Sequence, residues 1–173
     1  FTVSVLSEGQ VPVGRLFGRH SRRDRDKWAE VDHVLERHPD LRIIFAHFCF
    51  LSADLERAGR FLDAHPNVCL DLTPGSEMYD NFTRNHAAAR AFFLRYQDRL
   101  IYGTDTTTGQ MERDAKRAHS DAFAVEQALR RQWVVRTFLE TDRAFVPPEG
   151  LERWLEPDLP ALQGIALPHA ALA

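Results

Sequence analysis

Long apolar runs are missing from this chain. None approaches the ~20 residues needed to span a bilayer, and no secretory leader is visible, so no membrane partner and a cytoplasmic location are expected. A surplus of one charge sign is missing too. With 22 basic and 25 acidic residues the net charge is -3, which gives no broad field for nucleic acid. The one basic cluster, Arg15 to Arg25 with Lys27, reads as a solvated loop and helix start. Cysteine is scarce: Cys49 and Cys69 are the two present. They lack metal-type spacing and suit small core positions in a reducing compartment. There is no glycine-rich phosphate loop, no Ser-His-Asp arrangement and no supported Cys-His pair. Nor is there a low-complexity tract, or any repeat beyond an alternation of strand and helix.

What is present fits one domain with a true core. The chain has 173 residues, 44% hydrophobic and 27% charged, as soluble globular proteins do. Trp28, Val31 and Leu35 make a helical stripe over Asp26 to Arg37, which His38-Pro39 ends. A strand is expected over Leu41 to Ala46. Ser52 is the expected cap of the next helix, with Leu55, Ala58, Gly59 and Leu62 as its buried stripe. His65-Pro66-Asn67 breaks that helix before a strand over Val68 to Leu72, and Thr73-Pro74-Gly75 opens a longer loop. A helix over about Asn85 to Gln97 buries Ala89, Phe92, Phe93 and Tyr96. A strand over Leu100 to Gly103 follows, then a helix near Ala122 to Leu139 carrying Val125, Leu129 and Trp133, with Trp133 counted in the core. Phe1 to Leu6 is β-prone but soon interrupted. Residues 1–25 read as an irregular start and 141–173, rich in proline, as a wrapping tail of one domain spanning 1–173.

The strands are short and apolar almost throughout, the habit of parallel strands buried on both faces. Right-handed crossovers place their carboxyl ends on one side of the sheet. His47, Asp71 to Thr73 and Asp105 therefore share one rim, where ligands collect in α/β folds. An imidazole and a carboxylate at two strand ends suit a metal or proton-transfer site.

Three segments carry a family resemblance. Arg42-Ile-Ile-Phe-Ala-His47, His65-Pro-Asn-Val-Cys-Leu-Asp71 and Tyr96-Gln-Asp-Arg-Leu-Ile-Tyr-Gly-Thr-Asp105 resemble the sixth, seventh and eighth strands of the metal-dependent amidohydrolase barrels. The resemblance is to the branch of aminocarboxymuconate semialdehyde decarboxylase, and it runs over roughly residues 26–170. It implies a (β/α)8 TIM-barrel type of α/β fold, of which this chain supplies the carboxyl-terminal half: the last three or four βα units and a carboxyl-terminal helical tail. Asp105 is then a metal ligand that also hydrogen-bonds the metal-bound water. His47 orients or deprotonates that water, or is itself a ligand. The implied cofactor is a divalent metal, zinc foremost, and the implied partner a small-molecule substrate. A bound divalent ion brings the pKa of its water from ~15.7 towards ~7.

The chain also departs from the family. No His-x-His occurs anywhere in it, although the first barrel strand should carry that pair of ligands. Val3-Ser-Val-Leu-Ser7 lacks the fifth-strand histidine, and His20 is a poor substitute. Phe48-Cys49-Phe50 stands where the family has small glycines, which narrows the pocket beside His47.

Each residue also has a plainer reading. Asp105 could close an Asx-turn or cap a helix, and Asp71 is expected to close its loop through backbone hydrogen bonds. Glu77, Tyr79 and Arg84 lie above the seventh strand, within reach of a substrate or simply on the surface. As a rim residue, Asp105 should matter little to folding. The expected function is a metal-dependent hydrolase or non-oxidative decarboxylase, a carbon–carbon lyase, acting on a small organic molecule through an activated water. The alternative is a non-catalytic half-barrel serving as an assembly or binding module. Half a barrel exposes sheet edges that a neighbour must cover, so a homo-oligomer is expected.

Overall fold

A computed structural model describes residues 22–75, 77–151 and 157–172. Helix α1 (Arg22–Arg37) leads to strand β1 (Ile43–Phe45), and α2 (Leu55–Ala64) leads to β2 (Val68–Asp71). Two helices, α3 (Met78–Arg84) and α4 (His86–Arg95), precede β3 (Leu100–Ile101). A helical pair follows, α5 (Thr108–Ala118) and α6 (Asp121–Glu140), and then a two-stranded antiparallel ladder of β4 (Ala144–Phe145) and β5 (Leu162–Gln163). Strands β1, β2 and β3 form one parallel sheet in that order.

The expected βα alternation is therefore present, with local differences. Asp54, not Ser52, caps α2, accepting from the Arg57 N–H at 2.9 Å. Ser52 is buried, and its hydroxyl accepts from Asn81 Nδ2 at 3.0 Å. The loop expected after Thr73 folds in part into α3, because Tyr79 and Phe82 have an aromatic core to join. Helix α1 begins inside the stretch read as an irregular start, and Phe1 to Leu6 lies outside the described residues.

The sheet has one covered face and one open face. Val68 and Leu70 are fully buried beneath the helices, with Ile43, Phe45 and Leu100 packed partly against the same core. On the other face Ile44 and Ile101 are 46% and 38% exposed. Burial on both faces was the expectation. The Ile44 side is instead partly open, so exposure alternates along the strands.

Helix α6 is also turned differently from its sequence pattern. Val125, Leu129 and Trp133 are exposed at 50%, 58% and 39%, so Trp133 is not a core residue. The buried side is Ala124, Gln127, Arg131, Val134, Val135 and Phe138, because Phe138 packs on Tyr79, Phe82 and Phe93 of α3 and α4 and the returning tail bonds the end of the helix there. The tail is fixed by backbone hydrogen bonds, Ile165 N–H to Phe138 O at 2.7 Å and Leu167 N–H to Leu139 O at 2.8 Å.

Candidate active site

The chain leaves β1 through an uncommon turn. His47, Phe48, Cys49 and Phe50 have φ of 53, 54, 52 and 56°. Four successive residues with Cβ atoms thus sit in the left-handed region, at a cost of about 1–2 kcal/mol each. These include the positions where the family resemblance expects glycines. The backbone keeps a glycine-type path while the side chains are large. Packing offsets the strain: Phe48 is fully buried, with ring centroids 5.0 Å from Phe82 and 5.4 Å from Phe92. Hydrogen bonds close the turn, from Cys49 N–H to Ala46 O and from Leu51 N–H to Phe48 O, both 3.0 Å.

Asp71, at the end of β2, ties this turn to its own loop. Its Oδ1 accepts from the His47 N–H at 2.8 Å and from the Thr73 N–H at 3.1 Å. The expected backbone role of Asp71 is thus observed, and it extends across strands to His47. The His47 ring is anchored as well, with Nδ1 3.2 Å from Thr73 O. A carbonyl oxygen only accepts, so this bond assigns the proton to Nδ1. In the neutral ring that leaves the lone pair on Nε2, as metal-ligating or proton-accepting histidines require.

On the far side of β2, Gly103 lets the β3 exit approach that loop. A Cβ there would lie 2.3 Å from Thr73 Oγ1 and 3.1 Å from its backbone nitrogen. Arg99, just before β3, donates from Nη2 to His65 O at 2.6 Å and also reaches Val68 O, which pins β3 against the start of β2. Asp105 then follows in a left-handed conformation, φ 55°, with its side chain 38% exposed. Its Oδ2 lies 3.6 Å from Nη1 of Arg131, an α6 residue whose side chain is 4% exposed. The sequence reading missed Arg131. No local signal marks it: it shares a helical face with Gln127, Val134, Val135 and Phe138, and only the fold shows that this face is the buried one.

His47 and Asp105 thus follow the two outer strands of one parallel sheet, at its carboxyl edge, with Asp71 on the strand between. Tyr79, Arg84, His65 and His86 are engaged elsewhere. Tyr79 is buried, its hydroxyl donating to Leu72 O at 3.0 Å, so it is a core residue and not a substrate contact. Arg84 pairs with Asp158 at 2.6 Å. His65 faces Asp32 at 3.4 Å, and His86 Nε2 bonds Gly164 O at 2.8 Å. Burial pushes the Cys49 thiol up to about 12, so it is no nucleophile at neutral pH. An open cleft of about 390 Å³, lined by Leu35, His38, Leu41, His65 and Asn67 among others, lies at the amino ends of the strands, away from this rim.

Among the described residues no group of three or more His, Cys, Asp or Glu side chains could hold an ion. Catalytic zinc usually takes three protein ligands plus water. The described residues alone do not fit the metal that the sequence implies. Nor is any helix among them long and apolar enough to cross a membrane.

The sequence model of the amidohydrolase family, described as Amidohydrolase, matches residues 2–148. The chain belongs to this family. Membership implies a TIM-barrel type of fold, supports a hydrolase-type enzyme with a small-molecule substrate, and brings a family habit of divalent-metal use. No curated protein and no solved structure matches the chain significantly.

Proposed function

We propose that this protein is a hydrolase of the amidohydrolase type that opens an ester, lactone or amide bond of a small organic substrate at the His47–Asp105 rim. In this reading β1, β2 and β3 are the sixth, seventh and eighth strands of a (β/α)8 barrel, in the manner of the aminocarboxymuconate semialdehyde decarboxylase branch. The open face of Ile44 and Ile101 is the side that a barrel would enclose. The observation that carries the reading is the placement of an imidazole and a carboxylate after β1 and β3 of one parallel sheet.

The roles follow from the side chains. His47, held through Nδ1 by Thr73 O, directs Nε2 at the attacking water and orients it. Water oxygen adds to the carbonyl carbon, Asp105 takes the water proton, and that proton passes to the leaving oxygen or nitrogen as its bond to carbon breaks. The family cofactor is a divalent cation, zinc foremost; His47 and Asp105 are the two side chains this rim would offer it, short of the three protein ligands that a catalytic zinc usually takes.

The test is a panel of small esters, lactones, amides and aryl carboxylates assayed with the parent, His47→Gln and Asp105→Asn. Hydrolysis by the parent that falls at least ~10²-fold in both variants is expected. Carbon dioxide release from the carboxylates alone would make the protein a decarboxylase. Unchanged hydrolysis in both variants would remove the rim from catalysis.

A further inference from the structure

The turn after β1 places its two phenylalanines differently. Phe48 points into the core and is fully buried, which accounts for its presence. Phe50 is 42% exposed, and its ring centroid lies 5.7 Å from that of His47, the planes tilted by 35°. Its φ is 56°. A bulky residue at positive φ is an outlier, and backbone strain of this kind collects at functional sites. The molecule thus holds a large apolar ring in an unfavourable conformation, half in solvent, beside the imidazole of the rim.

We propose that Phe50 is a specificity-determining residue. Its ring forms an apolar wall beside His47 and selects substrates whose reacting carbonyl bears an apolar group over those bearing a small one. The inference rests on the reading of His47 as the group at the reacting carbonyl. It adds a discriminating contact that the hydrolytic chemistry itself does not need. The ring can offer a substrate only van der Waals and hydrophobic contact, so it acts on binding and leaves proton transfer to others.

Two measurements on the parent, Phe50→Gly and Phe50→Leu test it. The first is the unfolding temperature. Glycine at φ 56° relieves strain, so Phe50→Gly should unfold at the parental temperature or above. The second is titration of the His47 ring resonances, identified by their loss in His47→Gln, with benzamide and with acetamide. In the parent, benzamide should shift them at concentrations at least about tenfold lower than acetamide. That preference should collapse in Phe50→Gly and survive in part in Phe50→Leu. An unaltered preference in Phe50→Gly would overturn the proposal, and so would a clear fall in its unfolding temperature, which would make the ring a packing residue. Equal response to both amides in every protein would overturn it while leaving His47 as a binding group. No response to either amide in the parent would sink the rim reading and this inference together.

Discussion

Nη1 of Arg131 lies 3.6 Å from Oδ2 of Asp105, joining a buried helical cation to the carboxylate that follows β3. The pair alters what Asp105 is expected to do. A rim residue far from the core should matter little to folding, but a buried guanidinium needs neutralising charge nearby. Asp105 supplies part of it. Asp105→Asn should therefore destabilise the fold by about 1–2 kcal/mol, below the ~3–5 of a fully buried pair because the carboxylate is partly exposed. Denaturant unfolding of Asp105→Asn, Arg131→Gln and the double variant checks this. Losses that simply add would show that the two charges are not coupled.

Asp71 carries a separate prediction. One carboxylate oxygen accepts from two backbone amides, of His47 and Thr73. Asp71→Ala strands both donors, and charge-assisted bonds contribute about 1.5–3 kcal/mol each. A loss of about 2–4 kcal/mol is expected, with a smaller loss for Asp71→Asn, which keeps an acceptor oxygen. The His47 ring resonances should move in both variants, since the backbone beneath the ring is released. A stability change below ~0.5 kcal/mol in Asp71→Ala would contradict this account.

Much of the sheet was legible because its signals are local. Proline after His38 and His65 ends two helices, and the apolar runs after them are strands that pair in parallel. From that order alone His47, Asp71 and Asp105 fall on one edge. What the sequence hid depends on tertiary partners. Val125, Leu129 and Trp133 form as regular a stripe as the buried one, and only the position of the α3–α4 core and the tail decides which stripe faces in. Helix α3 was hidden because Met78, Tyr79 and Phe82 are helical through their core contacts. The left-handed turn was invisible because Phe-Cys-Phe carries no turn signal, and its strain is offset by contacts far away in the chain. Arg131 declares itself only once Asp105 lies beside it.

Phe48 tests that offset directly. Its ring is fully buried against Phe82, Phe92 and Phe93. Phe48→Ala should cost about 3–5 kcal/mol, the usual range for a large aromatic truncated in a core. It should also loosen the turn that carries His47. Hydrogen exchange at the amides of Cys49 and Leu51, which bond Ala46 O and Phe48 O, should accelerate beyond what the global loss explains. Protection that falls only in step with global stability would mean that the turn holds itself.

Cys49 predicts a pH dependence. Burial raises its thiol from 9.0 to about 12, against a smaller lowering by Arg57. The folded state therefore keeps a proton that the unfolded chain has released. Stability from this group is complete below pH 9 and is lost progressively as pH rises towards 12. Cys49→Ser or Cys49→Ala should flatten the alkaline limb of a stability–pH curve. Thiol reagents at pH 7.5 should label Cys49 far more slowly than a free thiol, because little of it is thiolate, and labelling at the rate of a free thiol would refute the raised pKa.

The metal gives the last prediction. His47 offers Nε2 and Asp105 a carboxylate, but among the described residues no third ligand joins them. Arg131 adds a positive charge beside the carboxylate, which opposes a second cation there. Zinc should therefore bind the 173-residue chain weakly, dialysing away to well under one equivalent, since tight catalytic sites use about three protein ligands. What binds should fall further in His47→Gln and in Asp105→Asn. Arg131→Gln should retain somewhat more than the parent if charge repulsion dominates. Equilibrium dialysis with elemental analysis reads all four proteins. One tight equivalent in the parent would mean that ligands outside the described residues complete the site, and His20 would be the first to replace: its loss should then release the ion as fully as loss of His47.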